Sequence, residues 1–597
     1  MADYSAPVRD IRFVLTEIAR LGDLAATEEF AHADPDMVAG LIDEAGRFCS
    51  QAVAPTNRDG DTEGSLMVDG GVKTPESFKR AYSQYVESGW GALHHPAEFG
   101  GGAFPLAVAN TFKEMLNSAN LAFSLAPMLT TGAVYALSHH GSDELKQTYL
   151  PKMVSGEWSG TMNLTEPHAG SDVGAITSKA TPVGDGTYRI QGTKIFITYG
   201  EQDLTDNIIH LVLARLPDAP PGTKGISLFV VPKFLVNDDG SLGERNDVSV
   251  VSVEHKMGIH GSPTCVMAYG ENGDGAVGYL VGEENDGMRA MFTMMNDARL
   301  GVGLEGVAIA ERAYQDAYAY ALERRQGRGP TSKPGEQAPI IAHADIRRML
   351  MTMKSQIEAS RALCYLNATA IDLAHAAADE AEREYQGKLA DLLTPLSKAW
   401  ATDLGVELTS LAVQIHGGMG YVEETGVAQH FRDARIAPIY EGTNGIQALD
   451  LVGRKLPYDG GAFVKGFIEE IRATADSLDG DAFADIRAGL SAATDVLADT
   501  TDWVFANRDQ MADVFAGATP YLRLMATVVG GWLMAKSAVA AQAHVDAGDD
   551  VAFHEAKVVT ARFYATQILP QVHGLAPQVT ATARDLFALD EAQYATS

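Results

Sequence analysis

The chain has 597 residues, a formal net charge of −32 and 46% hydrophobic residues. This length exceeds what one hydrophobic core fills, so several domains are expected, and so acidic a surface excludes nucleic acid and anionic membranes as expected partners. Three widely separated cysteines, Cys49, Cys265 and Cys364, exclude a disulfide framework and a zinc site, and no metal is expected.

Residues 1–159 are predicted to form an N-terminal helical domain. Segments such as VRDIRFVLTEIARL and ESFKRAYSQYVESGW place apolar residues at three- and four-residue steps. The opening MADYSAPVRDIRFVL carries charges and lacks the apolar run of a secretory signal. No uncharged apolar stretch reaches the ~18 residues that mark a membrane-spanning helix. We therefore expect a soluble, cytoplasmic protein without a membrane span.

Three further domains are predicted from changes in the sequence pattern. Residues 160–280 contain short β-branched runs separated by Gly, Pro and Asp, including TYRIQGTKIFITYG and GISLFVVP, which predict an antiparallel β domain. The helical pattern returns over 281–455, with a Pro/Gly-rich loop at 327–339. After KLPYDGGAF, residues 456–597 form an additional Ala-rich helical region, for which packing or a subunit contact is favoured over catalysis. The fold class is α+β with segregated layers.

Two stretches at the start of the β domain offer groups that could face a flat ligand. In Met162-Asn-Leu-Thr-Glu-Pro-His-Ala-Gly-Ser-Asp172, Thr165 and Ser171 carry hydroxyls beside small residues. In Lys194-Ile-Phe-Ile-Thr-Tyr-Gly200, Phe196 and Thr198 share one strand face by two-residue alternation. Taken alone, the first stretch is better explained as an ordinary loop, and the second as a core Phe with an edge Thr.

Two later stretches are more specific. Gln414-Ile-His-Gly-Gly-Met-Gly-Tyr421 has three glycines within four residues, which lets a ligand approach the backbone, although it is not a dinucleotide-binding fingerprint. Ile439-Tyr-Glu-Gly-Thr-Asn-Gly445 places Glu441 between apolar segments and before Gly442. A lone loop glutamate is usually a solvated charge, but a partly buried one with a raised pKa is a competent general base.

Together these motifs resemble the acyl-CoA dehydrogenase family from about residue 10 to residue 455. The matching segments, in order, are LTEPHAGSD, KIFITYG, EHKMGIHGS, NDAR, ALERR, QIHGGMGY and RDARIAPIYEGTNGIQ. The resemblance implies an N-terminal helical domain, a middle β domain and a C-terminal helical bundle. It also implies FAD as the cofactor, an acyl-CoA thioester as the substrate, an electron-transfer flavoprotein as the acceptor and a homodimer.

The resemblance implies roles for individual residues, with Glu441 as the catalytic base. The implied FAD contacts are Met162, Leu164, Thr165, Ser171, Phe196, Thr198, Gln414, Gly417, Gly418, Thr443 and, from the neighbouring subunit, Arg324. The implied substrate contacts are Ser171, Asn296, Arg299, Tyr440 and Gly442. Arg299 and Arg324 are 25 residues apart, about seven helical turns, so both could project from one side of one helix. Gly327, Gly445 and Asn296 depart from residues common in the family.

The substrate is predicted from features outside the motifs. A length near 600, the opening APVRDIRF and the C-terminal extension resemble a subgroup that converts 3-methylthiopropanoyl-CoA to methylthioacryloyl-CoA in dimethylsulfoniopropionate catabolism. Because a thioether is close to a methylene in size and polarity, a fatty acyl-CoA of β-oxidation remains an alternative. An acyl-CoA oxidase is a second alternative, and a flavin-free scaffold of the same fold is a third.

Overall fold

The computed structural model describes residues 3–330, 333 and 335–596, without the side chains of residues 296 and 297. The expected substrate contact of Asn296 therefore lies outside the described side chains, as does part of the predicted loop at 327–339. Helices come first, then a β domain, then two helical regions, which agrees with the α+β prediction.

The first region is helical, as predicted. Its helices are α1 Val8–Phe13, α2 Leu21–Ala25, α3 Pro35–Phe48, α4 Asn57–Glu63, α5 Glu76–Glu87, α6 Leu106–Ala119, α7 Leu121–His140 and α8 Asp143–Ser155. Both ends of α8 are capped: Ser142 accepts the Leu145 N–H at 3.3 Å, and Gly156 ends the helix at φ +85°. A hairpin that the sequence pattern did not predict, β1 Leu66–Val68 and β2 Gly71–Lys73, interrupts this region.

The middle region is built on an eight-stranded sheet. The further strands are β3 Trp158–Asn163, β4 Lys179–Pro182, β5 Tyr188–Thr198, β6 Asn207–Ala214, β7 Ser227–Pro232, β8 Phe234–Val236, β9 Leu242–Arg245, β10 Val248–Val253, β11 Thr264–Tyr269 and β12 Ala276–Val281. Their order in the main sheet is β10-β11-β5-β12-β7-β6-β3, with β4 on β5, while β8 and β9 form a separate pair.

Two details of the sheet differ from the expected antiparallel pattern. The edge strand β3 pairs with β6 in parallel, from Trp158 opposite Asn207 to Asn163 opposite Val212. The β5–β11 register slips between Cys265 and Met267, so a bulge interrupts the alternation next to Phe196. The sequence pattern predicted a purely antiparallel domain, which is wrong at this edge, because alternation within one strand carries no information about its partner's direction.

The helical pattern then resumes in two stages. The helices are α9 Gly287–Glu323, α10 Ala344–Ala376, α11 Glu380–His416, α12 Val427–Ala434, α13 Asn444–Asp450, α14 Ala462–Asp476, α15 Ala484–Ala506, α16 Met511–Ala516, α17 Ala518–Ala547, α18 Val551–Phe563 and α19 Val572–Val579. The long helices α9 and α11 approach closely at Gly306, which has no side chain. A Cβ there would lie 2.2 Å from the Ala401 carbonyl oxygen.

The C-terminal extension packs onto the preceding helices through α17. A Cβ at Gly530 would lie 2.8 Å from the Trp400 ring of α11 and 2.6 Å from the Tyr564 hydroxyl. Buried residues of α10, α11 and the extension form one continuous hydrophobic cluster. The extension is thus part of the core of this chain, which agrees with the predicted packing role.

Buried charges join the two ends of the chain. The Arg361 guanidinium, on α10, is 1% exposed and pairs with Glu114 at 2.6 Å, Glu311 at 3.0 Å and Asp10 of the first helix. Lys557 of α18 pairs with the same Asp10 and, at 3.2 Å, with Glu358. Asp10 therefore lies between a cation of the helical bundle and a cation of the extension.

Two helices have the length and composition of a membrane span, Leu121–His140 and Ala518–Ala547. The sequence pattern had indicated none. In the described structure, 83% of the apolar window of each helix is buried. Packing against other helices and against β3 accounts for their apolar character.

Candidate active site

Glu441 lies on the loop between α12 and α13. Its backbone is left-handed at φ +54°, and Gly442 follows at φ +83°. Thr443 then begins α13, its hydroxyl oxygen accepting the Ile446 N–H at 3.4 Å. Two successive left-handed residues turn the chain sharply, which places a half-buried carboxylate at the tip of the loop.

Two cations lie near this carboxylate. Burial raises the pKa of Glu441, and Lys398 and Arg299 oppose the rise. Lys398, on α11, is fully buried and donates to the Ala437 carbonyl at 2.9 Å and to Asn444 at 2.8 Å. The Arg299 guanidinium, on α9, reaches within 3.7 Å of the position that a Cβ on Gly442 would take.

Sequence reasoning missed two residues of this site, Glu305 and Lys398. Glu305 is fully buried on α9 and accepts a hydrogen bond from the Tyr440 hydroxyl. Its one signal in the sequence is a charged residue within the small and apolar run GVGLEGVAIA. Lys398 sits in the similar run LTPLSKAWA. We call Arg299, Glu305, Lys398, Tyr440 and Glu441 the base cluster.

A second group, the strand-end cluster, joins residues 162–166 to residues 194–198. The Ile195 N–H donates to the Thr165 carbonyl at 2.9 Å. Buried Lys194 donates to the Leu164 carbonyl at 3.0 Å and to Glu166 at 2.8 Å. Burial alone would raise the pKa of Glu166, but Lys194 and hydrogen bonds from Ser178 and Thr177 hold it at about 2. The structure therefore unites the two stretches that the sequence presents separately.

The strand-end cluster offers an open aromatic face. Phe196 is 60% exposed at φ +60°, while Ile197 and Tyr199 beside it are buried. Phe196 and Thr198 thus lie on the less buried side of β5, as predicted. Among the described residues, the hydroxyls of Thr165 and Thr198 make no hydrogen bond, so both can bind a ligand. Met162 is buried, and Ser171 is exposed on the loop that follows.

A third group, the helix-end cluster, lies where α9 and α11 both end. The Tyr320 ring stacks on His416 at 4.3 Å, which brings the end of α9 beside the glycine loop. Gln414 is exposed, and its carbonyl accepts the N–H of Gly417. A Cβ at Gly417 or Gly418 would meet nothing within 4 Å. Arg324, which follows Tyr320 by about one helical turn, is exposed.

The prediction that Arg299 and Arg324 both project from one helix is wrong for Arg324. The helix α9 ends at Glu323, and Arg324 follows in an extended conformation at ψ 120°. At 1.5 Å per residue, Arg299 and Arg324 are separated by roughly 37 Å along α9. The two arginines therefore lie at well-separated places along one chain.

A group of metal-ligating types lies far from these sites, in the C-terminal extension. The ligand atoms of His544, Asp549 and His554 lie within 4.8 Å of one another. The two imidazole rings stack at 4.3 Å with planes 9° apart. The lone pairs of two stacked, nearly parallel rings lie in two separate planes, so one ion cannot lie in the plane of both rings. His544 instead hydrogen-bonds to Asp549 and Glu17, which raise its pKa, with Glu17 contributing most.

Comparison with known families and relatives decides the identity of the fold. The sequence matches the N-terminal, middle and C-terminal domains of acyl-CoA dehydrogenase over residues 36–157, 161–270 and 285–456. Residues 467–590 match the acetyl-CoA dehydrogenase C-terminal-like family. The chain belongs to the acyl-CoA dehydrogenase family. It is accordingly a flavin-linked oxidoreductase.

Individual relatives cover nearly the whole chain. It is 47% identical to 3-methylmercaptopropionyl-CoA dehydrogenase of Ruegeria pomeroyi, over 98% of this chain and 99% of the relative. It is 39% identical to a butyryl-CoA dehydrogenase of Syntrophomonas wolfei, over 96% of each chain. An acyl-CoA dehydrogenase from Bacillus anthracis, solved in complex with FAD, shares the fold with a TM-score of 0.73 at 20% identity, over 91% of this chain and 88% of that one.

Proposed function

We propose that this acyl-CoA dehydrogenase oxidises 3-methylthiopropanoyl-CoA to methylthioacryloyl-CoA, in dimethylsulfoniopropionate catabolism, with Glu441 as the base. The observation that carries the chemistry is a carboxylate at a left-handed turn, whose pKa is raised by burial and restrained by Lys398 and Arg299. The relative at 47% identity supports the choice of substrate. A short fatty acyl-CoA is the second candidate, because a butyryl-CoA dehydrogenase matches over a similar length.

Glu441 would remove the α-proton of the thioester. Burial makes its carboxylate a stronger base than one in water, and Lys398 and Arg299 oppose this rise in its pKa. The thioester oxygen gains negative charge as the proton leaves. The Arg299 guanidinium lies within 3.7 Å of the position that a Cβ on Gly442 would take, whereas Lys398 is already engaged by the Ala437 carbonyl and Asn444. We assign Arg299 to holding the substrate beside Glu441.

The strand-end cluster fits a flavin. Exposed Phe196 offers an aromatic face, and Thr165 and Thr198 offer free hydroxyls at its edge. Bound FAD would supply a hydride acceptor for the β-hydrogen of the substrate. The residues assigned to hold its flavin end are Met162, Leu164, Thr165, Phe196 and Thr198, with Thr443 and Ser171 further along the cofactor.

The helix-end cluster fits the phosphate end of the same cofactor bound to a second copy of the chain. Arg324 supplies positive charge, Gln414 hydrogen-bonding groups, and Gly417 and Gly418 open backbone. We therefore propose a homodimer, acting in the cytoplasm and passing electrons to an electron-transfer flavoprotein. We also propose domain boundaries at 159, 280 and 455, where the sequence pattern changes between helical and strand-like.

Anaerobic reduction of the flavin tests the function. Loss of the flavin's visible absorbance would be followed with 3-methylthiopropanoyl-CoA beside butanoyl-CoA, octanoyl-CoA and palmitoyl-CoA. Fastest reduction by the thioether supports the proposed substrate, and fastest reduction by a fatty acyl-CoA contradicts it. Glu441→Gln should keep FAD and bind acyl-CoA yet reduce the flavin at least about 1,000-fold more slowly. Peroxide formed during aerobic turnover would indicate an oxidase instead.

A further inference from the structure

Glu305 is a buried carboxyl that the proposed reaction leaves without a task. Its residue is fully buried in the middle of α9, and its Oε2 accepts the Tyr440 hydroxyl. Within the described part of the chain, Oε1 has no hydrogen-bond partner. A charged carboxylate with an unsatisfied buried oxygen is costly. The site therefore favours a proton on Glu305.

The groups around Glu305 come from two other elements. Burial is the largest influence and raises the pKa of Glu305 to about 8. On the loop, the Tyr440 hydrogen bond lowers this pKa and the charge of Glu441 raises it, while Lys398 of α11 lowers it. Two neighbouring carboxyls resist ionising together. Below about pH 8 Glu305 is therefore neutral.

Tyr440 connects Glu305 to the base through the backbone. It directly precedes Glu441, whose left-handed φ of +54° is unfavourable for a residue with a Cβ. Strained backbone persists where its surroundings hold it. The Tyr440–Glu305 hydrogen bond anchors the residue before the strained one, and Thr443 anchors the loop on its other side.

We propose that Glu305 is a positioning residue for the base: as a neutral carboxyl bound to the Tyr440 hydroxyl, it fixes the turn that presents Glu441 without adding a second negative charge. This inference rests on the proposed role of Glu441. Ionisation of Glu305 opposes the charge that develops on the thioester. Flavin reduction by acyl-CoA is therefore slower on the alkaline side of the Glu305 transition.

Glu305→Gln tests the charge while keeping the shape. The amide oxygen still accepts from Tyr440 but the side chain cannot ionise. Below about pH 7 the variant should reduce its flavin within about threefold of the wild-type rate, and the rate loss across about pH 8 should be smaller. Burial lowers the pKa of Lys398 to about 8 as well, and the Glu305 charge opposes that lowering, so a change in the rate profile is assigned to Glu305 only together with the infrared band of its carboxyl. Superimposable profiles would overturn the proposal.

Asp372 provides a matched control. It is another buried carboxyl with a pKa raised by burial to about 7, on α10, where it accepts the N–H groups of Leu106 and Ala107. Isotope-edited infrared spectra should show a protonated carboxyl band that disappears across about pH 8 in the wild type and in Asp372→Asn. The band should be absent from Glu305→Gln. Its persistence in that variant would assign the proton elsewhere and refute the inference.

Tyr440→Phe tests the hydrogen bond between Tyr440 and Glu305. Its result can be interpreted even if Glu305→Gln fails to fold. It removes the hydroxyl and should slow flavin reduction at saturating acyl-CoA roughly tenfold, because the base is displaced. An unchanged reduction rate would refute the positioning role. If Glu441→Gln also turned over normally, the proposed function itself would fail, whereas an inactive Glu441→Gln beside a normal Tyr440→Phe would remove only Glu305 from the mechanism.

Discussion

The base cluster lies at the middle of helix α9 and the helix-end cluster at its end. They differ in whether the residues of a single chain already bury and hydrogen-bond the polar groups of the cluster. In the base cluster Glu305 and Lys398 are fully buried. Tyr440 is already hydrogen-bonded to Glu305, and Lys398 to Asn444 outside the cluster. In the helix-end cluster Arg324, Gln414, Gly417 and Gly418 are all exposed. The chemistry of proton removal is thus preorganised within a chain, whereas the proposed cofactor-binding end depends on a second copy.

The largest effect should come from the base cluster. Arg299→Gln removes one of the two cations that oppose the burial-driven rise in the Glu441 pKa. That pKa should rise further, so the acid limb of flavin reduction moves to higher pH and the rate at pH 7 falls by about 100-fold. Stopped-flow reduction between pH 5 and 9 measures both. Arg454→Gln, which removes a charge 71% exposed in the same region, is the control, and an equal shift there would contradict the interpretation.

A substitution in the helix-end cluster should change how tightly FAD is retained rather than the pH dependence of flavin reduction. Arg324→Ala removes the exposed cation at the end of α9 and should weaken FAD retention roughly tenfold. The pH profile of the flavin that remains bound should stay unchanged. Arg325→Ala is the matched control, because its side chain is occupied by the Gln337 carbonyl at 2.9 Å. Equal flavin loss from both variants, measured by absorbance after dialysis, would mean that general charge rather than Arg324 binds the cofactor.

The smallest expected effects are losses of stability when either of two glycines with positive φ is replaced by alanine. Gly442 is at φ +83°, and a Cβ there would lie 2.8 Å from the Gln447 amide nitrogen, whereas Gly417 is at φ +61° with open space. Gly417→Ala, at φ +61° and ψ −140°, should cost about 1–3 kcal/mol of unfolding free energy from the backbone alone. Gly442→Ala should cost more, because the contact with Gln447 adds to it. Urea denaturation of the FAD-free proteins compares them, and equal losses would show that the Gln447 contact relaxes freely.

The sequence predicted the order of the domains because hydrophobic periodicity is a local property. It also predicted Glu441 and the strand-end residues, since those motifs are contiguous. Glu305 and Lys398 escaped because each is one charged residue in an apolar run, and only the packing of α9 against α11 brings them to the loop. The parallel pairing of β3 with β6 and the bulge at Phe196 are relations between strands, which no single run of residues encodes.

The position of Asp10 has a consequence for how the protein is made. Its two cationic partners, Arg361 and Lys557, are 351 and 547 residues further along the chain. The first helix therefore emerges from the ribosome long before either partner exists. The Asp10–Arg361 ion pair can therefore form earlier than the Asp10–Lys557 pair. A chain truncated before α18 would keep the first pair and lack the second, so its first helix would be held less firmly.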